Sequence, residues 1–490
     1  MRLNLANLPE PDFSPQPVAD ALCLLDACEL LALMDRGELS AVEVMKAHLA
    51  QIDRFNPAVN AVCTRVDSDV LLEQAASADE SRAKGVAGAL CGLPIAVKDL
   101  VATEGIRTTM GSRHADQIPK ADALLVKRLK SAGAVVVGKT NVPEFGAGSH
   151  TFNDLFGVTR NPYDLGRTAG GSSGGAAAAL AMGMLPLADG SDMGGSLRNP
   201  AAFCNVVGFR PSIGRVPSVP TLMAWQSRLA VEGPMGRSVR DCARLLSVIA
   251  GPDRRDPLSL TVPTEPFDRL AVENTDRTRV AFSPDLGELA VAGAVRSVFE
   301  EASAVLKNVG CAVQRACPDL SGAMDVFRTL RASYYAQSLG PLYRSGAVLK
   351  ASLARNVEAG FALSGEDLTR ADVQRTRLHL NVCRFFEDFD FLVVPSTQVT
   401  PFPVATEWVQ EIDGHPMNDY LDWMSICCII SATGLPAISV PCGFTPEGLP
   451  VGLQIVGPPG EDLAVLRLAA AFESATGHGK ARPPLIAESA

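Results

Sequence analysis

The sequence contains no run of basic residues and no stretch in which basic and aromatic side chains alternate. Its 44 Lys and Arg residues are outnumbered by 54 Asp and Glu residues, which gives a formal net charge of −10. A protein that follows a nucleic-acid backbone needs a concentrated positive surface. We therefore expect no nucleic-acid partner.

Long apolar segments are also missing. The first twenty residues contain prolines and acids where a secretory signal would have an apolar core. The most apolar run of small residues, GGAAAALAMGMLPLA, is short for a bilayer span and is interrupted by Gly and Pro. The sequence predicts a soluble, cytoplasmic protein with no membrane span.

The twelve cysteines form no CxxC pair and no Cys/His cluster with zinc-site spacing. In a chain of 490 residues this pattern is typical of free, buried thiols in a reducing compartment. The adjacent pair Cys427 and Cys428 is accordingly interpreted as part of the core.

Segments with helical and strand patterns alternate along the chain. Ser40 and Glu43 have capping-box spacing ahead of a helical apolar pattern. The apolar runs that end near Lys98 and Thr140 have strand character, as do LPAISVPCGF and LPVGLQIVGP near the C-terminus. With 47% hydrophobic residues, the pattern predicts one large α/β domain.

The segment GAVVVGKT, residues 133–140, has the letters of a phosphate-binding loop. In a true phosphate loop the strand precedes the motif, whereas here the variable positions are themselves β-branched and strand-forming. We interpret the segment as the end of a strand, with no nucleotide bound.

The segment GSSGG, residues 171–175, has the letters of the nucleophile elbow of α/β-hydrolases, with Ser173 as the nucleophile. Such an elbow follows a strand directly, but the preceding residues NPYDLGRTAG are turn-forming and polar. His379, His415 and His478 follow in the order that this fold requires, so Ser173 remains an alternative nucleophile.

A third group of residues spans more of the chain. Ser196 stands behind two glycines in GSDMGGSLRNP, and no histidine lies within forty residues of it. Lys98 ends an apolar strand, Ser172 in GGSSGG follows 74 residues later, and Ser196 follows after another 24. A serine nucleophile here would need a base other than histidine.

With GKTNVPEF, NPYD and GGSSGGAAAALA before it, and LPAISVPCGFTPEGLPVGLQIVGP near the end, this arrangement resembles the amidase signature family of serine hydrolases. The match covers most of the chain. The resemblance implies Ser196 as nucleophile, Ser172 as a bridging serine after a cis peptide bond, and Lys98 as base. It also implies an oxyanion hole made by the backbone amides of Met193, Gly194, Gly195 and Ser196.

The residue types suit that chemistry. Lys98 can act as a base only when neutral, and bringing its pKa from about 10.4 to 7 corresponds to about 4 kcal/mol, which burial can supply. Each oxyanion donor typically contributes about 2.7 to 4 kcal/mol. Ser173 is expected to support the network, and Asp192 and Arg198 are expected to brace the loop as a buried ion pair. No metal or organic cofactor is implied.

The resemblance further implies a single domain over residues 1–490, with a central mixed β-sheet covered by helices. We expect a helical N-terminal region (1–60), a catalytic core (61–250), a variable helical region that forms the substrate pocket (251–420), and C-terminal strands and a helix that complete the core (421–490). Met193, Met223 and Trp225 are candidate pocket residues. The aromatic residues Trp225, Tyr334, Tyr335, Trp408 and Trp423 are each expected to serve packing more than substrate contact.

The expected activity is hydrolysis of an acyl amide, an anilide, or a related carbamate or ester, with a small-molecule amide as the partner and a homodimer as a possible assembly. The alternative within the family is the glutaminase subunit of a tRNA-dependent amidotransferase. The segment ALSGEDLTRADVQRTRLHLNVCRFFEDF lacks the glycine and tyrosine pattern of that subunit. A non-catalytic protein that has kept the fold is disfavoured because Lys98, Ser172 and Ser196 are all present.

Overall fold

An eleven-stranded mixed sheet forms the centre of the molecule. The structure is a computed structural model that describes Leu5 and residues 21–226, 228–260, 266–268, 270 and 275–487. The strands are β1 (Val62–Arg65), β2 (Pro94–Lys98), β3 (Val135–Thr140), β4 (Phe152–Asn153), β5 (Gly157–Val158), β6 (Arg160–Asn161), β7 (Asp164–Thr168), β8 (Leu187–Asp192), β9 (Val207–Arg210), β10 (Val231–Gly236), β11 (Arg279–Phe282), β12 (Ala312–Arg315), β13 (Phe391–Pro395), β14 (Glu411–Ile412), β15 (His415–Pro416), β16 (Ala437–Phe444) and β17 (Pro450–Val456).

The sheet has the order β1-β3-β2-β8-β10-β9-β16-β17-β13-β11-β12. Pairing is parallel across β3-β2-β8 and across β13-β11-β12, and antiparallel at the other steps. The remaining strands form the two-stranded sheets β4-β5, β6-β7 and β14-β15. The prediction of a single α/β domain around a mixed sheet is confirmed.

Helices cover this sheet. They are α1 (Ala27–Asp35), α2 (Ala41–Val59), α3 (Ser68–Ala83), α4 (Leu124–Ser131), α5 (Gly174–Ala181), α6 (Arg198–Phe203), α7 (Val239–Ile249), α8 (Gly293–Asn308), α9 (Ala323–Arg344), α10 (Ala351–Ala362), α11 (Gly365–Asp388), α12 (Ser425–Thr433), α13 (Asp462–Thr476) and α14 (Pro484–Ala487). Short 3-10 turns lie at Ala21–Leu24, Glu144–Gly146, Asp422–Met424 and His478–Lys480. As predicted, α2 begins with a capping box, in which Ser40 Oγ accepts the Glu43 amide at 3.1 Å.

The region 251–420 is not only helical. It contains α8 to α11, but it also adds β11, β12 and β13 to one end of the central sheet. Phe299 on α8 stacks on Phe282 of β11 with ring centroids 4.3 Å apart, so this part belongs to the same packed unit. Strands of four or five residues are too short for periodicity to separate them from the neighbouring helices. The four region boundaries themselves stay a prediction.

Two hydrophobic clusters hold the layers together. The larger one packs helices such as α2, α5 and α7 against the sheet. The second is centred on Phe327, Leu378 and Trp423, and it joins α9, α11 and α12 to β13. Cys427 and Cys428 lie in this second cluster, as predicted. All twelve cysteines are free, and nine of them are buried.

The strand-end interpretation of GAVVVGKT is also correct. Residues 135–140 are β3, and Lys139 is fully buried. Its Nζ donates to the Val101 carbonyl and, at 2.9 Å, to Thr103 Oγ1, so the lysine faces protein and not a phosphate site. None of the helices in the described ranges combines the length and the hydrophobicity that a membrane span requires.

Candidate active site

The candidate site lies where two neighbouring parallel strands end. Lys98 is the last residue of β2 and Asp192 the last residue of β8, and these strands pair in parallel. The carboxyl ends of parallel strands meet at one edge of a sheet, where ligands commonly bind. Ser172 lies in the turn before α5, and Ser196 lies in the loop between β8 and α6.

Lys98 is fully buried, and hydroxyl groups surround its amine. Its Nζ lies 2.9 Å from Ser172 Oγ, 2.7 Å from Ser173 Oγ and 3.0 Å from Ser191 Oγ. Burial lowers the pKa of Lys98 to about 7, although the negative charges of nearby carboxylates oppose the change. The amine can therefore be neutral near neutral pH, as a base must be.

Ser191 was not identified from the sequence. Its position directly before Asp192 was visible, but its contact with Lys98 follows from the pairing of β8 with β2. The Ser191 carbonyl also lies 3.3 Å from Lys98 Nζ.

The turn at Ser172 is held by contacts on both sides. The Gly171–Ser172 peptide bond is cis, as the family resemblance implied. Ser149 Oγ donates to the Gly171 carbonyl at 2.6 Å, and Asn199 Nδ2 on α6 donates to Ser149 Oγ at 2.9 Å. This chain of bonds connects the Ser172 turn to the helix that follows Ser196. Sequence reasoning missed Ser149 and Asn199, because they are remote from each other along the chain.

Two glycines at the start of α5 allow this turn to pack closely. A Cβ on Gly174 would lie 2.3 Å from Thr151 Oγ1, and one on Gly175 would lie 2.4 Å from the Asn141 nitrogen. Any side chain at either position would displace the segment that carries Ser172 and Ser173.

Ser196 is largely buried, with 7% of its surface exposed. Its carbonyl accepts the Ser173 amide at 3.2 Å, which ties the nucleophile loop to the serine turn. Among the described residues, no hydrogen bond joins Ser196 Oγ to Ser172 Oγ. Catalytic hydrogen bonds are often long before substrate binds and tighten in the complex.

The four predicted oxyanion donors are not equivalent. Within the described residues, the amides of Met193, Gly194 and Ser196 have no acceptor. The Gly195 amide instead donates to Asp192 Oδ1 at 2.9 Å, so it already has an acceptor in this structure. Three of the four predicted amides thus have no competing acceptor among the described residues.

Asp192 and Arg198 form the expected ion pair, and it is fully buried. Arg198 contacts the carboxylate through Nη2 at 2.8 Å and Nε at 3.0 Å, and Arg210 Nη1 adds a contact at 3.2 Å. Burial alone would raise the pKa of Asp192, but the two guanidinium groups hold it well below its usual range. The Leu197 amide also donates to this carboxylate, at 3.1 Å. Asp192 therefore fixes the loop on both sides of Ser196.

A cavity of about 90 Å³ adjoins the nucleophile loop. Met193, Met223, Leu330 and Tyr334 are among its lining residues, so two of the three candidate pocket residues lie there. Trp225 does not line it and is 82% exposed, which contradicts a packing role. Tyr334, at 38% exposure, is not a core residue either.

The other three aromatic residues behave as packing residues. Tyr335 and Trp423 are buried, and Trp408 packs against the second cluster.

The geometry around Ser173 does not match a nucleophile elbow. Contrary to the sequence-based expectation, Asp164–Thr168 does form a strand before GSSGG, but it pairs with β6 and, through a single bridge at Arg167, with Pro403, and it is not part of the central sheet. Ser173 is fully buried against Lys98, and no described histidine contacts it. His379 lies on the outer helix α11 beside Cys383, and His415 is exposed on β15.

Removal of Asp192 tests the buried ion network. Asp192→Ala should lower the free energy of unfolding by about 3 to 5 kcal/mol, because two buried guanidinium groups lose their shared carboxylate. Arg198→Met should cost less, since Arg210 still pairs with Asp192. Urea denaturation measures the free energy of unfolding of both variants and of the unmodified protein. Arg255→Ala, which breaks the exposed pair with Asp253, is the control and should leave stability unchanged. A smaller loss for Asp192→Ala than for Arg198→Met would contradict the account.

Comparison with known proteins places this geometry in a family. The sequence model of the Amidase family matches residues 43–466. One relative, a glutamyl-tRNA(Gln) amidotransferase subunit of Symbiobacterium thermophilum, is 38% identical over 497 residues, which cover 95% of this chain and 99% of that protein. An acylamidase of Rhodococcus erythropolis is 34% identical over 459 residues, which cover 92% and 95%.

A solved structure shares the whole architecture. The crystal structure of a bacterial aryl acylamidase of the amidase signature family superposes with a TM-score of 0.87 at 29% identity, covering 95% of this chain and 100% of that one. Together with the match over residues 43–466, these relatives show that the chain belongs to the amidase signature family of amide-cleaving enzymes.

Proposed function

We propose that this enzyme hydrolyses a carboxylic amide through an acyl-enzyme on Ser196, with Lys98 as base and Ser172 as relay. The observation that carries the proposal is the buried Lys98 amine, 2.9 Å from Ser172 Oγ and close to the Ser196 loop. A lysine with a pKa of about 7 takes the part that histidine has in other serine hydrolases.

Acylation begins with proton transfer. Neutral Lys98 accepts the proton of the Ser172 hydroxyl while Ser172 accepts that of Ser196, and Ser196 Oγ forms a bond to the amide carbonyl carbon. The carbonyl oxygen becomes an oxyanion, which the amides of Met193, Gly194 and Ser196 stabilise. Gly195 contributes to the hole only after releasing Asp192.

Collapse of this intermediate releases the amine. Protonated Lys98 returns its proton through Ser172 to the leaving nitrogen, and the C–N bond breaks. Water then attacks the ester on Ser196 with the same residues acting as base, and the carboxylic acid is released. Ser173 and Ser191 orient Lys98, whereas Asp192 and Arg198 brace the loop.

The substrate class is an acyl amide, an anilide, or a related carbamate or ester. The cavity beside Met193 supports this choice, because its methionine, leucine and tyrosine side chains suit an apolar or aromatic group, while its serine, threonine, glutamine and arginine side chains can bind a polar end. The relatives named acylamidase and aryl acylamidase support it as well. We also propose a small-molecule partner, a cytoplasmic location and a homodimer.

A second candidate is the glutaminase subunit of a tRNA-dependent amidotransferase. A relative named as a subunit of glutamyl-tRNA(Gln) amidotransferase is 38% identical over nearly the full length of both chains. In that case the enzyme would work with protein partners and release ammonia from glutamine. The segment from Ala362 to Phe389, which lacks the glycine and tyrosine pattern of the glutaminase subunit, speaks for the stand-alone hydrolase.

Covalent labelling identifies the nucleophile. A fluorophosphonate probe should modify Ser196, because Ser196 is the serine next to the free backbone amides. Peptide mass spectrometry locates the adduct, and Ser196→Ala should abolish it. An adduct on Ser173 in the unmodified enzyme would assign the nucleophile differently, and the absence of any adduct would oppose a serine hydrolase.

The pH dependence of kcat/KM reports on the base. Because the pKa of Lys98 is lowered to about 7, its neutral form accumulates above that pH, and activity should rise through pH 7 and then level off. Lys98→Ala should reduce acylation by orders of magnitude at every pH. A rate that keeps rising toward pH 10 would contradict a lowered pKa.

The leaving group separates the two candidate functions. The purified enzyme should release arylamine from anilides and aryl carbamates, and Ser196→Ala serves as the blank. If the enzyme releases ammonia from primary amides and no arylamine from anilides, the substrate class is restricted to primary amides. Release of ammonia from glutamine, with no arylamine from any anilide, would favour the amidotransferase function.

A further inference from the structure

Arg331 on α9 is a buried cation, and the groups that contact its guanidinium are neutral. Only 4% of its surface is exposed. Its Nη2 and Nε contact the Tyr420 hydroxyl at 2.7 and 3.2 Å, and Nη1 lies 3.0 Å from Met193 Sδ. The ring of Tyr335 lies 4.7 Å from the guanidinium carbon. Among the described residues, no carboxylate lies within 4.0 Å of it.

This environment differs from that of four of the five other buried arginines in the described residues. A carboxylate lies within 4.0 Å of each of these four, Arg198, Arg210, Arg215 and Arg237. One turn before Arg331 on the same helix, the more exposed Arg328 pairs with both Asp419 and Asp422. A buried charge without an opposite charge is costly, so an unpaired guanidinium in an enzyme site points to an anionic ligand.

Arg331 also lies beside the catalytic loop. Met193, which it contacts, carries one of the free oxyanion amides and lines the 90 Å³ cavity. Leu330, the residue before Arg331, lines the same cavity. One turn earlier, Phe327 packs so closely on the loop that a Cβ on Gly194 would lie 2.7 Å from its ring. This face of α9 is therefore a wall of the site.

A second cation lies in the same neighbourhood. A Cβ on Gly148 would lie 3.4 Å from Lys350 Nζ and 4.0 Å from the Tyr420 ring, so Lys350 and Tyr420 border the same backbone segment. Gly148 precedes Ser149, which holds the Ser172 turn. Burial lowers the pKa of Lys350, and the positive charge of Arg331 adds to that effect. Lys350 has Glu407 at 3.7 Å as a partner, so of these two cations only Arg331 has no carboxylate within 4.0 Å among the described residues.

We propose that Arg331 binds a carboxylate group of the substrate, so that the enzyme prefers amides that carry one. The inference rests on the proposed function, because it concerns the substrate of the Ser196 site. Guanidinium binds carboxylate through two parallel hydrogen bonds, and a thioether is a weak, flexible acceptor that a carboxylate replaces easily. The Tyr420 hydroxyl would keep the guanidinium in place.

Matched substrates test the preference. On the acyl side, glutaranilic acid is compared with hexananilide. On the amine side, 4-acetamidobenzoate is compared with 4-methylacetanilide. In the unmodified enzyme the charged member of one pair should have a kcat/KM about 10- to 100-fold higher than its neutral partner, as expected for a charged hydrogen-bonded pair. The pair that shows the preference tells which side of the amide carries the carboxylate.

Variants assign the preference to Arg331. Arg331→Met should remove the charged-to-neutral ratio, chiefly through KM, whereas Arg331→Lys should keep part of it. Arg328→Met is the matched control on the same helix and should leave the ratio unchanged. If Arg331→Met fails to fold, the charged-to-neutral ratio of kcat/KM in the unmodified enzyme and in Arg331→Lys still tests whether Arg331 binds the carboxylate. Equal kcat/KM values within both pairs, or a ratio that survives Arg331→Met, would overturn the inference.

The test of Arg331 can fail while the proposed amidase function stands, and the two failures give different results. Hydrolysis of both neutral anilides without any charged preference would leave the amidase proposal intact and remove the role of Arg331. If no anilide is hydrolysed, calorimetry of glutaranilic acid and 4-acetamidobenzoate with Ser196→Ala decides the inference alone. At least one should bind more tightly than its neutral partner, and the difference should vanish in Arg331→Met/Ser196→Ala. Equal binding would contradict carboxylate recognition.

Discussion

The proposed chemistry depends on the buried amine of Lys98, which has no carboxylate within 4.0 Å in the part of the chain that the structure describes. Three acidic residues, Asp189, Asp192 and Glu232, act on the Lys98 amine through their charges. Asp189 accepts the backbone amide of Lys98 at 2.9 Å, and Asp192 is held by Arg198 and Arg210. The amine is left to the hydroxyls of Ser172, Ser173 and Ser191, which can accept a hydrogen bond from it or donate one to it. Desolvation then favours the neutral form.

The same constraint explains the surrounding architecture. The Asp192 carboxylate contacts the Ser196 loop and not the Lys98 amine. Two guanidinium groups and the amides of Gly195 and Leu197 hold it in that position. Asn199 and Ser149 extend that order to the Ser172 turn. Arg331 differs from Asp192. It is a buried charge beside the Ser196 loop, and no group of opposite charge contacts it among the described residues. On the proposal made for Arg331, this charge is the one that the substrate's carboxylate balances.

Sequence patterns predicted the features that depend on residues close together along the chain. The strands ending at Lys98 and Thr140 and the capping box at Ser40 follow from apolar runs and capping residues, and the structure contains them. Long motifs in order identified the family. The contacts of Ser191, Ser149 and Asn199 were not predictable, because they arise from strand pairing and from the approach of segments distant in sequence. The hydrogen bond of the Gly195 amide was not predictable either, because it depends on the orientation of the Asp192 carboxylate. The strands β11 to β13 were missed because periodicity does not reveal strands of four or five residues.

The most direct measurement of the central claim is the titration of Lys98 itself. In protein labelled with 13C at the lysine ε-carbon, the resonance that disappears in Lys98→Ala identifies the residue, and its chemical shift is followed against pH. The account predicts a titration midpoint near 7, since burial lowers the pKa of Lys98 to about that value. A midpoint near the ordinary lysine value of about 10.4 would show a permanently charged amine at neutral pH and would contradict Lys98 as the base.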